Sequence, residues 1–197
     1  MNKKRNSKKL WIPILVALII IVGLGIFAFT HTTRLSAEFG SANARYKLGL
    51  EYYQKKNYSQ AKSWLEKSVN HKNSDAENTL GVMYLNALGV TKDEKKAVSY
   101  FQKSANQGNK YAEDHLGTAY YFGQGVAKDY ALALKWLTKS ANRGIANSQN
   151  VLATMYLYGQ GIGKDKEKAI ALYQKAAAQG NTYAQNHLNE LQAVTNN

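Results

Sequence analysis

The chain has 197 residues, with 26 Lys and Arg against 13 Asp and Glu, a formal charge of +13, and no cysteine. The missing thiols exclude thiol catalysis and thiolate metal sites. Residues 1–34 hold six of the cations and no acid, so the rest carries 20 cations against 13 acids, a net +7. Those lysines are scattered, without the basic stripe and interleaved aromatics of a nucleic-acid surface.

Residues 1–9 form a basic tail with Lys3, Lys4, Arg5, Lys8 and Lys9. Leu10 to Thr30, LWIPILVALIIIVGLGIFAFT, then runs for 21 positions without a charge. As a helix it spans about 31 Å, the thickness of a bilayer's hydrocarbon core. Pro13 falls in its first turn, where a helix tolerates proline, and Trp11 lies at the boundary that interfacial aromatics favour. A cleaved signal peptide would have a shorter apolar run closely followed by a small-x-small site. Here the best such site, Ala42-Asn43-Ala44, lies more than ten residues beyond the run. The reading is an uncleaved signal-anchor over 10–30, with no nucleic-acid partner. The charge ahead of it leaves the N-terminus in the cytoplasm and the remainder across the membrane. In a Gram-negative cell that is a single-pass inner-membrane protein with a periplasmic domain.

Residues 31–41 read as a short connector, 42–191 as the repeat domain and 194–197 as a tail. The domain repeats every 36 residues: Gly81, Gly117 and Ala153; Tyr84, Tyr120 and Tyr156; Ala97, Ala133 and Ala169; Gly108, Gly144 and Gly180. Fixed periods of this kind mark stacked supersecondary units. Each unit reads as two short helices, A and B, with helix A near Ala76–Asn86 and helix B near Glu94–Gln107 in the second. Asp93, Asp129 and Asp165 stand where a helix B begins and suit its N-cap. Gly108, Gly144 and Gly180 stand where it ends, at the position that takes left-handed angles. Small residues at Gly81/Ala97, Gly117/Ala133 and Ala153/Ala169 would let paired helices approach. Tyr100, Phe101, Trp136, Leu137, Leu172 and Tyr173 would fill the space between units. The units run over about 42–73, 74–109, 110–145 and 146–181, with a capping helix at 182–193. The first is shorter, with 12 residues from Gly49 to Ala61 against 16 from Gly81 to Ala97.

The stretch YYFGQGVAKDYALAL, residues 120–134, has the glycines and lysine of a phosphate loop at a helix start. YLNALGVTKDEKKAV and YLYGQGIGKDKEKAI repeat it on either side, and a turn needed in every unit belongs to the architecture.

A unit of the form A-x3-LG-x-x-Y-x-x-G-x-G-x3-D-x3-A-x2-W-x2-K-S/A-A-x2-G resembles the Sel-one-like repeat (SLR). Residues 112–144, AEDHLGTAYYFGQGVAKDYALALKWLTKSANRG, carry it almost throughout. The second unit departs at Asn86-Ala87-Leu88 and the fourth at Ala153, while the first has tetratricopeptide spacing. The resemblance implies an all-α, right-handed superhelical solenoid whose helices A line a concave groove, in an adaptor that binds proteins and is not an enzyme. Some immunity proteins paired with phospholipase toxins of type VI secretion resemble the same plan of anchor and repeats. Some cysteine-rich relatives are described as β-lactam-binding or hydrolysing, which makes an envelope hydrolase the remaining alternative for a chain that lacks those cysteines.

Carrying tetratricopeptide groove positions onto helix A gives Tyr46, Leu50 and Tyr53, then Asn78, Val82 and Asn86. The third unit gives Asp114, Thr118, Tyr121 and Phe122, and the fourth Asn150, Thr154, Leu157 and Tyr158. The capping helix adds Asn186 and Glu190. Asn78, Asp114, Asn150 and Asn186 recur at 36 residues and would form a polar ladder for an extended partner.

No metal and no cofactor is expected. His115 and His187 share a register two repeats apart, four helices of 8–10 Å spacing, too far for one zinc ion. Glu113 and Asp114 are adjacent on a helix and point about 100° apart, so no acid–base pair forms there. Asp93-Glu94 and Asp165-Lys166-Glu167 sit at helix starts, where capping accounts for them.

Overall fold

The computed structural model describes residue 32 and residues 34–195, with side chains up to residue 193. The basic tail at 1–9 and the anchor at 10–30 lie outside the described residues. No helix among those described is long and apolar enough to cross a membrane.

Among the described residues, nine helices follow one another from residue 42: α1 Ala42–Gln54, α2 Tyr58–Val69, α3 Ser74–Leu85, α4 Glu94–Asn106, α5 Lys110–Phe122, α6 Tyr130–Asn142, α7 Ala146–Tyr158, α8 Lys166–Ala177 and α9 Thr182–Thr195. The odd-numbered helices are helices A and the even-numbered are helices B. Each packs on its chain neighbours, and α1 on α3 and α5 on α7 also touch, so the stack is an α-solenoid.

Capping fixes where the helices start. Asp93, Asp129 and Asp165 accept from the amides of Lys96, Leu132 and Lys168, each at 2.9 Å. Asn57, Asn73, Asn109 and Asn181 do the same for α2, α3, α5 and α9, whereas Ile145 leaves α7 without a side-chain cap. Gly108, Gly144 and Gly180 have φ of 81°, 85° and 86°, the left-handed exit foreseen for helix B.

The glycine turn has a structural purpose. Its second glycine lies on the first residue of the preceding unit's helix B: Gly89 on Tyr58, Gly125 on Glu94 and Gly161 on Tyr130. A Cβ on Gly125 would lie 2.4 Å from the Glu94 carbonyl oxygen. The turn then closes onto helix A, as the Asp129 amide donates to the Tyr120 carbonyl at 3.0 Å. The same bond recurs at Asp93–Tyr84 and Asp165–Tyr156.

Within a unit the small residue of helix A faces a large one of helix B, rather than another small one. A Cβ on Gly81 would meet the Phe101 ring at 2.5 Å, and one on Gly117 would meet Leu137 at 2.7 Å. Phe101, Leu137 and Tyr173 are accordingly among the most buried side chains. Ser68, Ser104 and Ser140, fully buried in helix B, donate to the carbonyls of Ala42, Ser74 and Lys110 at the start of helix A, at 2.7, 2.7 and 2.8 Å. Ala176 takes this place in the fourth unit.

Residues 34–41 are not a free connector. Residues 34–38 are helical, and Ala37 is fully buried against the cluster of Ala44, Leu48, Tyr52 and Trp64. The Gly40 amide bonds the Ala37 carbonyl and the Ser41 amide the Ser36 carbonyl. Gly108–Ala105 and Asn109–Ser104 make the same two bonds at the end of α4. Gly40 has a φ of 105°, and Ser41 caps α1 at the Ala44 amide. The segment is therefore the last turn of a helix B, half a repeat ahead of the first complete unit.

Candidate partner-binding face

The helix A residues proposed as a groove divide into three groups by burial and bonding. The first group is consumed by the fold. Asp114 on α5 is buried and accepts from the Ser148 hydroxyl at 2.5 Å and from the Asn147 amide at 2.9 and 3.1 Å. Thr118 joins the same Asn147 amide at 3.4 Å. The Thr154 hydroxyl donates to the Asn150 carbonyl at 3.1 Å and shares a 2.9 Å bond with the Tyr173 hydroxyl. The Tyr121 hydroxyl donates to Gln160 at 2.8 Å, and its ring packs on Phe122 and Tyr130. Burial raises the Tyr121 phenol above its ordinary value. Tyr46 is raised for the same reason, with Asp75 adding to it and a bond to Thr79 opposing it, while Tyr53 packs edge-on against Tyr58.

The second group is half-buried and incompletely bonded. The Oδ1 atoms of Asn78 and Asn150 are enclosed and have no hydrogen-bond partner. They occupy the Asp114 register on α3 and α7, yet their neighbours on the next helix A are Tyr111-Ala112 and Tyr183-Ala184 instead of Asn147-Ser148. The third group is open to solvent. Phe122 is 62% exposed and Tyr158 56%, with Asn86, Asn186 and Glu190 also exposed. Asn86 turns its amide back to the Val82 carbonyl, and Glu190 lies 3.4 Å from His187. The ladder of four is thus one spent carboxylate, two incomplete amides and one free amide.

Two aromatics of this face escaped the sequence reading. Tyr111 and Tyr183 are 53% and 72% exposed, in one register on α5 and α9. The carry-over began at the fifth position of helix A, and these stand at the second. A tyrosine recurring at 72 residues, twice the period, was the available signal, with Asp75 and Asn147 in the alternate units.

The alternation runs through the whole face. His115 lies on the Phe101 ring at 4.7 Å and His187 on the Tyr173 ring at 4.9 Å, whereas Leu137 packs with Val151. Burial lowers the His115 imidazole below its ordinary value, and the nearby Asp114 charge opposes that. Among the described residues no three His, Cys, Asp or Glu converge on a metal position. The second, third and fourth units are also clasped across their two helices. Gln107 donates to Glu77 at 2.5 Å, Arg143 lies 3.3 Å from Glu113, and Gln179 donates to Gln149 at 2.8 Å.

Capped two-helix units joined by glycine turns, with polar and aromatic residues on the helices A, define an α-solenoid of the protein-interaction class. The Sel1 repeat family profile matches residues 42–73, 74–109, 110–145 and 146–181, so the chain belongs to the Sel1 repeat family. Sel1 repeats generally mediate protein–protein interaction, as non-catalytic scaffolds. Among solved structures, the chain is similar to c5321, a protective antigen of uropathogenic Escherichia coli displaying an SLR fold. The match has 31% identity and a TM-score of 0.76 over 82% of this chain and 36% of that one. A Sel1 repeat protein from Oxalobacter formigenes matches at 31% identity and a TM-score of 0.72, over 82% and 48% of the two chains. The chain therefore spans between about a third and a half of these relatives. Cysteine-rich protein B of Helicobacter pylori shares the fold at 22% identity and a TM-score of 0.50, over 64% and 96%. No curated protein matches the chain.

Proposed function

We propose that this chain is a membrane-anchored interaction module that holds one protein partner against the faces of its helices A, on the periplasmic side of an inner membrane. The observation that carries the partner face is the set of solvent-exposed aromatics Tyr111, Phe122, Tyr158 and Tyr183 on α5, α7 and α9. Large aromatics left in water are costly for the free molecule and are enriched where proteins meet. The uncharged run at 10–30 and the cations ahead of it support the anchor and its orientation.

The test is photocrosslinking of the full chain in its native membrane, with a photoreactive phenylalanine at Tyr158 or, as control, at Lys103 on α4. One defined adduct from position 158 and none from 103 supports the face. Equal adducts from both would overturn it. An immunity role makes the narrower demand that the adduct be a single secreted toxin in one-to-one ratio.

A further inference from the structure

We infer that the N-terminal end of the solenoid is completed by the bilayer itself, through contact with anionic lipid headgroups. This rests on the anchor proposed above. Residues 34–41 hold the place of a helix B end, but with two changes of character. Leu35 stands where the later units carry Lys67, Lys103, Lys139 and Lys175, and Phe39 where they carry His71, Gln107, Arg143 and Gln179. In the second, third and fourth units the second of those positions clasps helix A of its own unit, as Gln107 does Glu77. Among the described residues no helix A stands beside the half-repeat for it to clasp, and the sequence ahead of it is the uncharged run ending at Thr30.

Leu35 and Phe39 are left 40% and 88% exposed, Phe39 being the most exposed large apolar side chain among the described residues. Leu35 is five residues past Thr30 in the sequence, and five residues rise only about 8 Å when helical, which is the depth of a headgroup layer. Phe39 follows four residues later, in the turn that ends this helix. Charge agrees with this placement. Residues 34–73 carry eight Lys and Arg against three acids, a net +5, whereas residues 74–197 carry thirteen against ten. All three acids of the first segment are taken up by pairs along a helix: Arg34–Glu38, Lys55–Glu51 and Lys62–Glu66. Arg45 is spent on the Ala37 and Lys67 carbonyls and Lys67 lies over the Trp64 ring, which leaves Lys47, Lys56 and Lys72 for lipid phosphates, groups that draw cations placed next to a membrane segment.

The chain has no native cysteine, so single labels are simple to place. The full chain would be reconstituted in phosphatidylcholine–phosphatidylglycerol vesicles, with an environment-sensitive fluorophore on L35C, F39C or, at the far end, N189C. Alkaline extraction of the same vesicles reports the anchor separately. Labels at 35 and 39 should be shifted to the blue, quenched by brominated lipid and shielded from iodide, and the label at 189 should not. Charge predicts that this shielding weakens several-fold in neutral phosphatidylcholine vesicles. A chain that resists extraction while labels 35 and 39 meet iodide as freely as label 189 would overturn this inference and leave the anchor standing. Loss of the chain on extraction would sink the anchor reading first. Shielding of label 39 that rises with protein concentration in detergent would also overturn it, by assigning the surface to a second copy of the chain.

Discussion

Asp114 on α5 and Ser148 on α7 are joined by a 2.5 Å hydrogen bond that skips the intervening helix B and ties one helix A to the next. Both side chains are buried, and the same carboxylate holds the Asn147 amide. A carboxylate so engaged is a fastening between units and has little left for a partner.

Replacing Asp114 by Ala should therefore cost about 2 kcal/mol or more of stability, because it strands the Ser148 hydroxyl and the Asn147 amide. Urea denaturation of the full chain in detergent, followed by circular dichroism, reads this directly. Unchanged stability would return Asp114 to the list of free groove residues.

The same register on the neighbouring units should behave in the opposite way. Asn78 and Asn150 have no bond at Oδ1 to lose, so Asn78→Leu and Asn150→Leu should leave stability within about 0.5 kcal/mol of the parent or raise it. A loss comparable to that at Asp114 would mean that a bond has gone unrecognised.

Ser104 donates to the Ser74 carbonyl from a fully buried position, and Ser104→Ala should cost about 1 kcal/mol. The fourth unit offers the reverse experiment. Ala176→Ser places a hydroxyl near the Ala146 carbonyl, 30 residues earlier like the Ser104 and Ser140 acceptors, and should raise the unfolding midpoint. A fall would show that the site has no room for the oxygen.

Gly125 and Gly144 separate conformational freedom from close approach. Both have positive φ, 71° and 85°, but only Gly125 lies against backbone, while a Cβ on Gly144 meets nothing within 4 Å. Gly144→Ala should cost about 1 kcal/mol of strain, and Gly125→Ala distinctly more, since the Glu94 carbonyl must also move. Equal costs would remove the turn's packing role.

His115 makes stability depend on pH. Its imidazole is held below its ordinary value by burial against Phe101, so the unfolded chain binds more protons than the folded one as pH drops below about 6.5. Stability is then full above that pH and falls as acid is added. Asp114 is the charged group beside the ring, and it moderates the effect. His115→Phe should flatten that part of the profile in urea titrations between pH 7.5 and 5.5. A parallel slope in the variant would assign the dependence elsewhere.

The period of 36 residues made the units, their caps and their left-handed exits legible before any coordinates, because each depends on chemistry within a few residues of the chain. What spans units was not legible. Neither Ser148 reaching the Asp114 carboxylate nor Tyr121 holding Gln160 of the next turn is written into local spacing. Tyr121 looked like a contact residue because tyrosine suits both a groove and a seam, and only its partner tells them apart. The half-repeat at 34–41 was hidden by the short first unit, which sets Gly40 68 residues before Gly108 and off the common period.

The alternation of His115 and His187 with Val151, and of Tyr111 and Tyr183 with Asp75 and Asn147, makes the seams between units come in two kinds. Excision of residues 110–145 would bring Asn78 against Asn147-Ser148, a junction of partners that never meet. Excision of residues 110–181 would instead set α3 and α4 beside α9, so that Asn78 finds Tyr183-Ala184 in place of Tyr111-Ala112 and Phe101 finds His187 in place of His115. The molecule should accept shortening by 72 residues more readily than by 36, and grow or shrink in even steps.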